Sequence, residues 1–140
     1  MQSRTFRTQS EEETVALGRA LAAELRTGAV LLIGELGAGK TTLAKGIVEG
    51  RGAASADEVS SPTFTLIHQY GDAIYHIDLY RLDEAREVES LGLDDLFAGG
   101  ALVLLEWAER FPELLPLQRT EIRLHSLPDD SREIRVTTMG

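Results

Sequence analysis

The chain has 140 residues with 14 basic and 23 acidic side chains, a formal net charge of −9, three histidines and no cysteine. This length fits one compact domain over residues 1–140, and the absence of cysteine, with histidines in no ligand-like spacing, excludes disulfides and a structural zinc site. The acidic balance opposes direct binding to a nucleic acid backbone. The absence of cysteine predicts a reducing cytoplasm, and the lack of an apolar run that could span a bilayer predicts a soluble protein.

The amino-terminal part of the chain predicts a short strand followed by an amphipathic helix. The segment "TFRT" indicates the strand. Ser10 and Glu13 have the spacing of a capping box, so the helix begins there, and Gly28 is expected to end it. Its buried face, expected to pack on a sheet, is formed by Thr14, Leu17, Leu21 and Leu25.

Residues 29–33, "AVLLI", form a continuous apolar run, which predicts a strand buried on both faces. A glycine-rich turn follows. Beyond it, apolar residues return at helical spacing up to Gly50 and Gly52, which end the predicted helix. These apolar residues are Leu43, Ala44, Ile47 and Val48.

The remaining segments predict two hairpins, two short helices and a second buried strand. "TFTLIHQYGDAIYHID" alternates on either side of Gly71 and Asp72, as a hairpin does. "LDEAREVESLGLDDLFAGG" indicates two short helices separated at Gly92, and "ALVLLE" a buried strand that ends in a carboxylate. "TEIRLHSL" and "REIRVTT" indicate a closing hairpin. The order of these predicted strands and helices along the chain indicates an α/β domain with a parallel core strand pair and antiparallel additions.

The turn "GELGAGKTT" contains Gly34, Gly39, Lys40 and Thr41 in the GxxxxGK[ST] pattern of a phosphate-binding loop. Its glycines allow successive N–H groups to turn inward, and the following helix presents the positive end of its dipole. The lysine can reach the β- and γ-phosphates, and the threonine hydroxyl can coordinate magnesium. With a strand before the loop and a helix after it, the fold class predicted is α/β: a three-layer sandwich like that of P-loop NTPases, with a mixed sheet.

We expect this loop and its surroundings to hold ATP and Mg²⁺. Glu35 belongs to the loop, although its carboxylate is expected to point away from the phosphates. The chain contains no asparagine, so the guanine-reading NKxD motif is excluded and ATP is favoured over GTP. The residues expected to contact the nucleotide are Glu35, Leu36, Gly37, Ala38, Gly39, Lys40, Thr41, Thr42, Ser61 and Thr63.

Hydrolysis also needs a carboxylate near the metal and a group that orients the attacking water. Glu106 lies at the carboxyl end of "ALVLLE", where ligands bind in open α/β sheets. It is the candidate metal-side carboxylate, beside Thr41 as a second metal ligand. Asp78, at the end of "AIYHID", either holds the metal through water or positions the nucleophilic water. Lys40, Asp78 and Glu106 are thus the expected catalytic residues.

Three further features are ambiguous from composition alone. "SSPTFT" places Ser61 and Thr63 around Pro62, which suits either a segment that senses the γ-phosphate or a plain entry into a strand. Trp107 is interpreted as a packing residue rather than a base-stacking platform. The arginines near the carboxyl end are interpreted as the solvated face of a hairpin: Arg119, Arg123, Arg132 and Arg135.

Five ordered motifs resemble the TsaE (YjeE) family of small bacterial ATPases. They are "GELGAGKTT", "SSPTFTLIHQY", "YHIDLYRL", "LGLDDL" and "LLEWAER", where many members have EWPE in place of "EWAE". The resemblance implies an accessory role in forming threonylcarbamoyladenosine at position 37 of tRNA, with the TsaB–TsaD complex as partner and tRNA bound mainly by that complex. It also implies that Lys40 and Thr41 hold phosphate and magnesium, that Glu106 is the metal-side carboxylate and that Asp78 is needed for hydrolysis.

The residues alone leave two other functions open. One is a small-molecule kinase, although the space between Gly52 and Ala101 leaves little room for a substrate-binding insertion and lid. The other is a nucleotide-gated interaction module in which hydrolysis is incidental. With no obvious arginine finger in the chain, slow ATP turnover by the isolated protein is expected.

Overall fold

The computed structural model describes residues 2–35, 37–60 and 66–140. Short 3₁₀ turns cover Ala56–Glu58, Ala108–Arg110 and Pro112–Leu114. No helix of these residues is long and apolar enough to cross a membrane. The strands are β1 (Gln2–Thr8), β2 (Gly28–Ile33), β3 (Ile67–Tyr70), β4 (Ile74–Asp78), β5 (Leu102–Glu106), β6 (Arg119–Ser126) and β7 (Arg132–Met139), and the helices are α1 (Glu11–Ala22), α2 (Lys40–Gly50), α3 (Ala85–Glu89) and α4 (Leu93–Ala98).

The strands form one mixed sheet in the order β1-β7-β6-β2-β5-β4-β3. The predicted mixed sheet is confirmed, but its parallel part is larger than a strand pair. Strands β6, β2, β5 and β4 all pair in parallel, because one strand of each predicted hairpin also joins the core. Strands β1, β7 and β3 add antiparallel edges. The carboxyl ends of four parallel strands therefore meet at one edge of the sheet.

Helices cover both faces of this sheet, which confirms the three-layer prediction. Alternate residues of the fully buried strand β2 point into two separate cores. Val30 and Leu32 join α1 and α2 on one face. Leu31 and Ile33 join residues of α3 and α4 on the other. Strand β2 is thereby fixed from both sides, and so is the start of the loop that follows it.

The N-cap predicted at Ser10 is confirmed, although the Glu13 carboxylate bonds to the residue before it and not to the Ser10 amide, and the helix is shorter than expected. The Glu13 amide donates to Ser10 Oγ over 3.1 Å, and the Glu13 carboxylate accepts from the Gln9 amide over 2.9 Å. The helix ends at Ala22 rather than near Gly28. The Leu25 amide donates to Leu21 O, which adds a turn after the end of the helix. The Leu25 side chain is therefore buried in line with the helix face, although the residue lies outside the helix.

Helix α1 approaches α2 closely enough that glycines are required at the contact. A Cβ placed on Gly46 would lie 2.1 Å from Val15 O, and one placed on Gly18 would lie 2.5 Å from Leu43 O. Both neighbours are backbone atoms, which cannot rotate away as side chains do. The sequence indicated a helix packed on the sheet and gave no sign of this close contact between the two helices.

We predict that Gly46→Ala destabilises the protein by about 1–3 kcal/mol, because the added methyl group forces the two helices apart. Lys45→Ala is the matched control on the same helix and should change the free energy of unfolding by less than about 0.5 kcal/mol. Urea unfolding of both variants measures the difference. Equal stability of the Gly46 variant and the wild type would contradict the packing described.

Candidate functional site

A cavity of about 720 Å³ opens at the edge of the sheet where the parallel strands end. Its walls come from the loop before α2, the ends of β4 and β5, the start of α1 and the turn between β6 and β7. The lining residues are Ser10, Glu11, Thr14, Gly37, Gly39, Lys40, Thr41, Thr42, Asp78, Tyr80, Glu106, Trp107, Asp130 and Arg132.

The loop between β2 and α2 turns sharply at Gly39, which is the N-cap of α2 with φ +103°. Glycine is the residue that adopts this left-handed conformation without strain. The amides of the first helical turn have no partner within their own helix, and Thr41 and Thr42 of this turn line the cavity. The positive end of the helix dipole therefore points into a cavity that is suited to an anion.

The side chain of Lys40 is buried, with 6% of its surface exposed. Its Nζ makes no hydrogen bond to any residue that the structure describes. The same atom lies 4.0 Å from Glu106 Oε1 and 4.1 Å from the centroid of the Trp107 ring. An ammonium group has three donors to satisfy, and burying it without partners is costly. A phosphate at this place would supply the missing acceptors.

Two carboxylates lie at adjacent strand ends and line the same cavity as this ammonium group. Asp78 and Glu106 are direct partners in the parallel pairing of β4 with β5, and both are buried. The Asp78 carboxylate accepts a hydrogen bond from the Tyr80 amide over 2.8 Å. The described residues include no group of three His, Asp or Glu side chains that could hold a metal ion. Oxygen ligands from Thr41 and one or two of these carboxylates nevertheless fit Mg²⁺, which takes its other ligands from phosphate and water.

His76 was missed in the sequence, although it is the closest partner of Glu106. It is fully buried, and its Nε2 lies 2.6 Å from Glu106 Oε2. His76 and Asp78 are two residues apart on β4, so their side chains lie on the same face of the strand. The alternation in "YHID" is the signal that could have linked the histidine to the site.

Trp107 is a packing residue, as expected, and it also contributes to the cavity. It contacts the second core, but it also lines the cavity and holds Lys40 against its ring. Its backbone has φ +66°, which turns the chain directly after Glu106. The Tyr80 ring lies 5.2 Å from the indole and extends the same wall. The Trp107 ring thus helps to hold the lysine close to Glu106.

Five of the ten residues expected to contact the nucleotide line the cavity, together with Asp78 and Glu106. Glu35 does not, because its exposed carboxylate faces His125 at 3.7 Å, which agrees with the expectation that it points away. Ala38 is fully buried, and its amide donates to Glu35 O. Leu36, Ser61 and Thr63 lie outside the described residues. Those that line the cavity are Gly37, Gly39, Lys40, Thr41, Thr42, Asp78 and Glu106.

Arg132, one of the four arginines interpreted as a solvated hairpin face, also lines the cavity. Arg119 and Arg123 do pair with Glu121 along β6, and Arg135 is exposed. Arg132, however, lines the cavity and donates to Gly37 O of the loop over 3.3 Å. The tight turn before β7 directs this side chain inward, and no motif in the sequence indicates that.

Three features define an α/β P-loop-like fold. They are the order of the strands in the sheet, the glycine-rich loop between a central parallel strand and a helix, and the lysine beside strand-end carboxylates. A family model described as "Threonylcarbamoyl adenosine biosynthesis protein TsaE" matches residues 8–134. The chain is 44% identical to the tRNA threonylcarbamoyladenosine biosynthesis protein TsaE of Bacillus subtilis, covering 100% of this chain and 89% of that protein. The protein of the same name from Rickettsia bellii is 40% identical, with 91% and 90% covered.

A solved structure supports the same assignment. The crystal structure of Bacillus subtilis YdiB superposes with a TM-score of 0.79 at 39% identity, covering 99% of this chain and 87% of that one. The chain belongs to the TsaE family. This agrees with the resemblance given by the five sequence motifs.

The contact between Lys40 and Trp107 predicts a fluorescence change, since Trp107 is the only tryptophan of the chain. In Lys40→Ala, water reaches the part of the indole that the lysine covers, and the emission should shift to longer wavelength. Lys45→Ala is the control and should leave the spectrum unchanged. An unshifted Lys40→Ala spectrum in a folded protein would contradict the contact.

The buried pair of His76 and Glu106 predicts non-additive effects on stability. His76→Leu leaves the carboxylate without its closest partner and should cost about 1–3 kcal/mol. The double variant His76→Leu with Glu106→Leu should lose less than the sum of the two single changes, because no unpaired buried group remains. Urea unfolding of the four proteins measures this difference, and strict additivity would contradict a direct interaction.

Proposed function

We propose that this protein binds ATP with magnesium and hydrolyses it as an accessory component of threonylcarbamoyladenosine formation at position 37 of tRNA. The observation that carries the proposal is the buried Lys40 ammonium group, which has no hydrogen bond among the described residues and faces a cavity between a glycine-rich loop and two carboxylates. The step in tRNA modification rests on membership of the TsaE family, whose members from Bacillus subtilis and Rickettsia bellii carry that pathway in their names.

In this proposal each residue of the cavity has one task. Lys40 moves from the Trp107 ring to the β- and γ-phosphates, and the amides at the start of α2 donate to the phosphate oxygens. The Thr41 hydroxyl and the Glu106 carboxylate would hold the magnesium ion, which would supply positive charge that neutralises the phosphates. His76 holds the Glu106 carboxylate in position through its Nε2.

In this proposal Asp78 orients the attacking water. Its carboxylate lies beside Glu106 at the strand ends and is held by the Tyr80 amide. The water oxygen forms a bond to the γ-phosphorus while the bond to the bridging oxygen breaks, and the water proton passes to a nearby base or to solvent. Catalysis then comes from positioning and charge stabilisation rather than from a covalent intermediate.

The proposed partner is the TsaB–TsaD complex, as the family resemblance implies. A net charge of −9 suits a protein that leaves tRNA binding mainly to that complex. The arginine that lines the cavity, Arg132, lies across the phosphate loop from Asp78 and Glu106. Charge stabilisation by arginine at the γ-phosphate is therefore expected to depend on the partners, and turnover by the isolated protein is expected to be slow.

The test is release of labelled γ-phosphate from ATP with magnesium, by the protein alone and with TsaB and TsaD added. Slow release alone and faster release with the partners is the expected result. Transfer of the label to an organic acceptor instead of water would favour a small-molecule kinase. An unchanged rate on adding the partners would contradict the partnered ATPase.

Asp78→Asn should lower this phosphate release by about 100-fold or more, because a neutral amide with one acceptor oxygen orients the attacking water less well than the charged carboxylate does. ATP binding should stay within a few-fold of the wild type. Asp94→Asn is the matched control, since this exposed carboxylate lies on α4 near the opposite edge of the sheet. Full modification activity in an Asp78→Asn protein that no longer hydrolyses ATP would favour a nucleotide-gated interaction module.

A further inference from the structure

Strands β4 and β5 each continue into a turn at the edge of the cavity. We call residues 79–82 the β4 turn and residues 107–110 the β5 turn. Asp78 and Glu106, the two carboxylates of the site, immediately precede these turns. Contacts between the two turns therefore determine how firmly one carboxylate is held relative to the other.

We propose that Arg110 is a positioning residue for the hydrolysis of ATP. Its guanidinium group joins the β5 turn to the β4 turn and thereby fixes Asp78 relative to Glu106. This inference rests on the proposed function, in which Asp78 orients the attacking water. Arg110 does not line the cavity, so it acts through the backbone next to Asp78 and not through the nucleotide.

The Arg110 guanidinium group donates to two backbone carbonyl groups of the β4 turn. Its Nη1 donates to Tyr80 O over 3.0 Å, and its Nη2 donates to Leu82 O. The donor of both bonds is charged, which makes them stronger than bonds between neutral groups. The donors of arginine also have a fixed planar geometry. One side chain thus restrains the β4 turn at two points.

The restrained turn holds the Asp78 carboxylate. The Tyr80 amide donates to Asp78 Oδ1 over 2.8 Å, while the carbonyl of the same residue accepts from Arg110. The Leu82 amide donates to Leu79 O over 3.0 Å, which closes the turn between these points. A carboxylate keeps its orientation only when the group that donates to it is itself held in place. A shift of the β4 turn would therefore shift the Asp78 carboxylate.

Arg110 is itself fixed relative to Glu106. It ends the short 3₁₀ turn Ala108–Arg110, and its Cζ lies 5.2 Å from the centroid of the buried Phe111 ring. The Leu79 amide donates to Glu106 O over 3.0 Å, so the two turns also meet through the backbone. Arg110 extends this connection along the β4 turn to the carbonyl groups of residues 80 and 82.

Other contacts between the two turns remain when the arginine side chain is removed. The rings of Tyr80 and Trp107 lie 5.2 Å apart, and Leu79 is buried in the second core. Arg110 is exposed, so its removal leaves no cavity in either core. We therefore expect the loss of Arg110 to loosen the β4 turn without unfolding the protein.

The test measures release of labelled γ-phosphate from ATP with magnesium by the full chain without partners. A range of ATP concentrations separates kcat from KM for the wild type, Arg110→Ala and Arg110→Lys. Arg86→Ala is the matched control, because Arg86 is an exposed arginine of α3 that pairs with Glu84 at the start of the same helix. Calorimetry gives the affinity for ATP, and thermal unfolding checks that each variant is folded.

We expect Arg110→Ala to lower kcat by about tenfold or more, because catalysis by positioning is sensitive to small displacements. KM and the affinity for ATP should change less than about twofold, since Arg110 makes no contact with the nucleotide. Arg110→Lys keeps the charge without the planar geometry, so its kcat should lie between those of Arg110→Ala and the wild type. Arg86→Ala should have the kcat of the wild type.

An unchanged kcat in folded Arg110→Ala would overturn the proposal. A higher KM with an unchanged kcat would overturn it as well, by showing a contact with the nucleotide. If Arg110→Ala fails to fold, Arg110→Lys decides the question, and a wild-type kcat in that variant overturns the proposal.

A double-mutant cycle tests whether Arg110 acts through Asp78. Arg110→Ala should cost little further activity in an Asp78→Asn background, because the carboxylate that it positions is already absent. Losses that multiply would show that Arg110 acts independently of Asp78 and would overturn the proposal. A wild type that releases no phosphate would overturn the proposed function together with this inference, whereas an active wild type with equally active Arg110 variants overturns this inference alone.

Discussion

The buried ammonium group of Lys40 is the interaction on which the organisation of the site depends. Removing such a charge from water costs several kcal/mol, and here a carboxylate at 4.0 Å and an aromatic ring at 4.1 Å offset part of that cost. Neither contact gives the lysine the hydrogen bonds that an ammonium group forms in water. Glu106 is in turn shared between Lys40 and His76. The site thus holds a buried positive charge that lacks hydrogen-bond acceptors among the described residues, which favours the binding of an anion.

The fold maintains this arrangement by fixing the two ends of the phosphate loop. Strand β2 is buried on both faces, so the loop begins at the centre of the sheet. Helix α2 begins where the loop ends, and its contact with α1 at Gly46 fixes its distance from the rest of that layer. The parallel register of β4 and β5 places Asp78 beside Glu106. Residues distant in sequence therefore meet around one lysine.

Much of this could be read from the sequence, because local patterns determine it. The N-cap at Ser10, the apolar run of β2 and the GxxxxGK[ST] loop predicted their elements correctly. The carboxylates at Asp78 and Glu106 followed from their positions at strand ends. Tertiary contacts leave no local pattern in the sequence. From the sequence alone, His76 is one polar residue in a strand, and Arg132 is one of several surface arginines. Their roles depend on a pairing register and a turn, which no local pattern reports.

The cavity lies on both sides of the loop between β2 and α2, with the strand ends of β4 and β5 on one side and α1 and the closing hairpin on the other. The most direct test of the central claim is a crystal structure with magnesium and a non-hydrolysable ATP analogue. The account predicts that Lys40 Nζ leaves the Trp107 ring and contacts the terminal phosphates beside Glu106. A nucleotide bound elsewhere, or a Lys40 that stays on Trp107 with the analogue present, would contradict it.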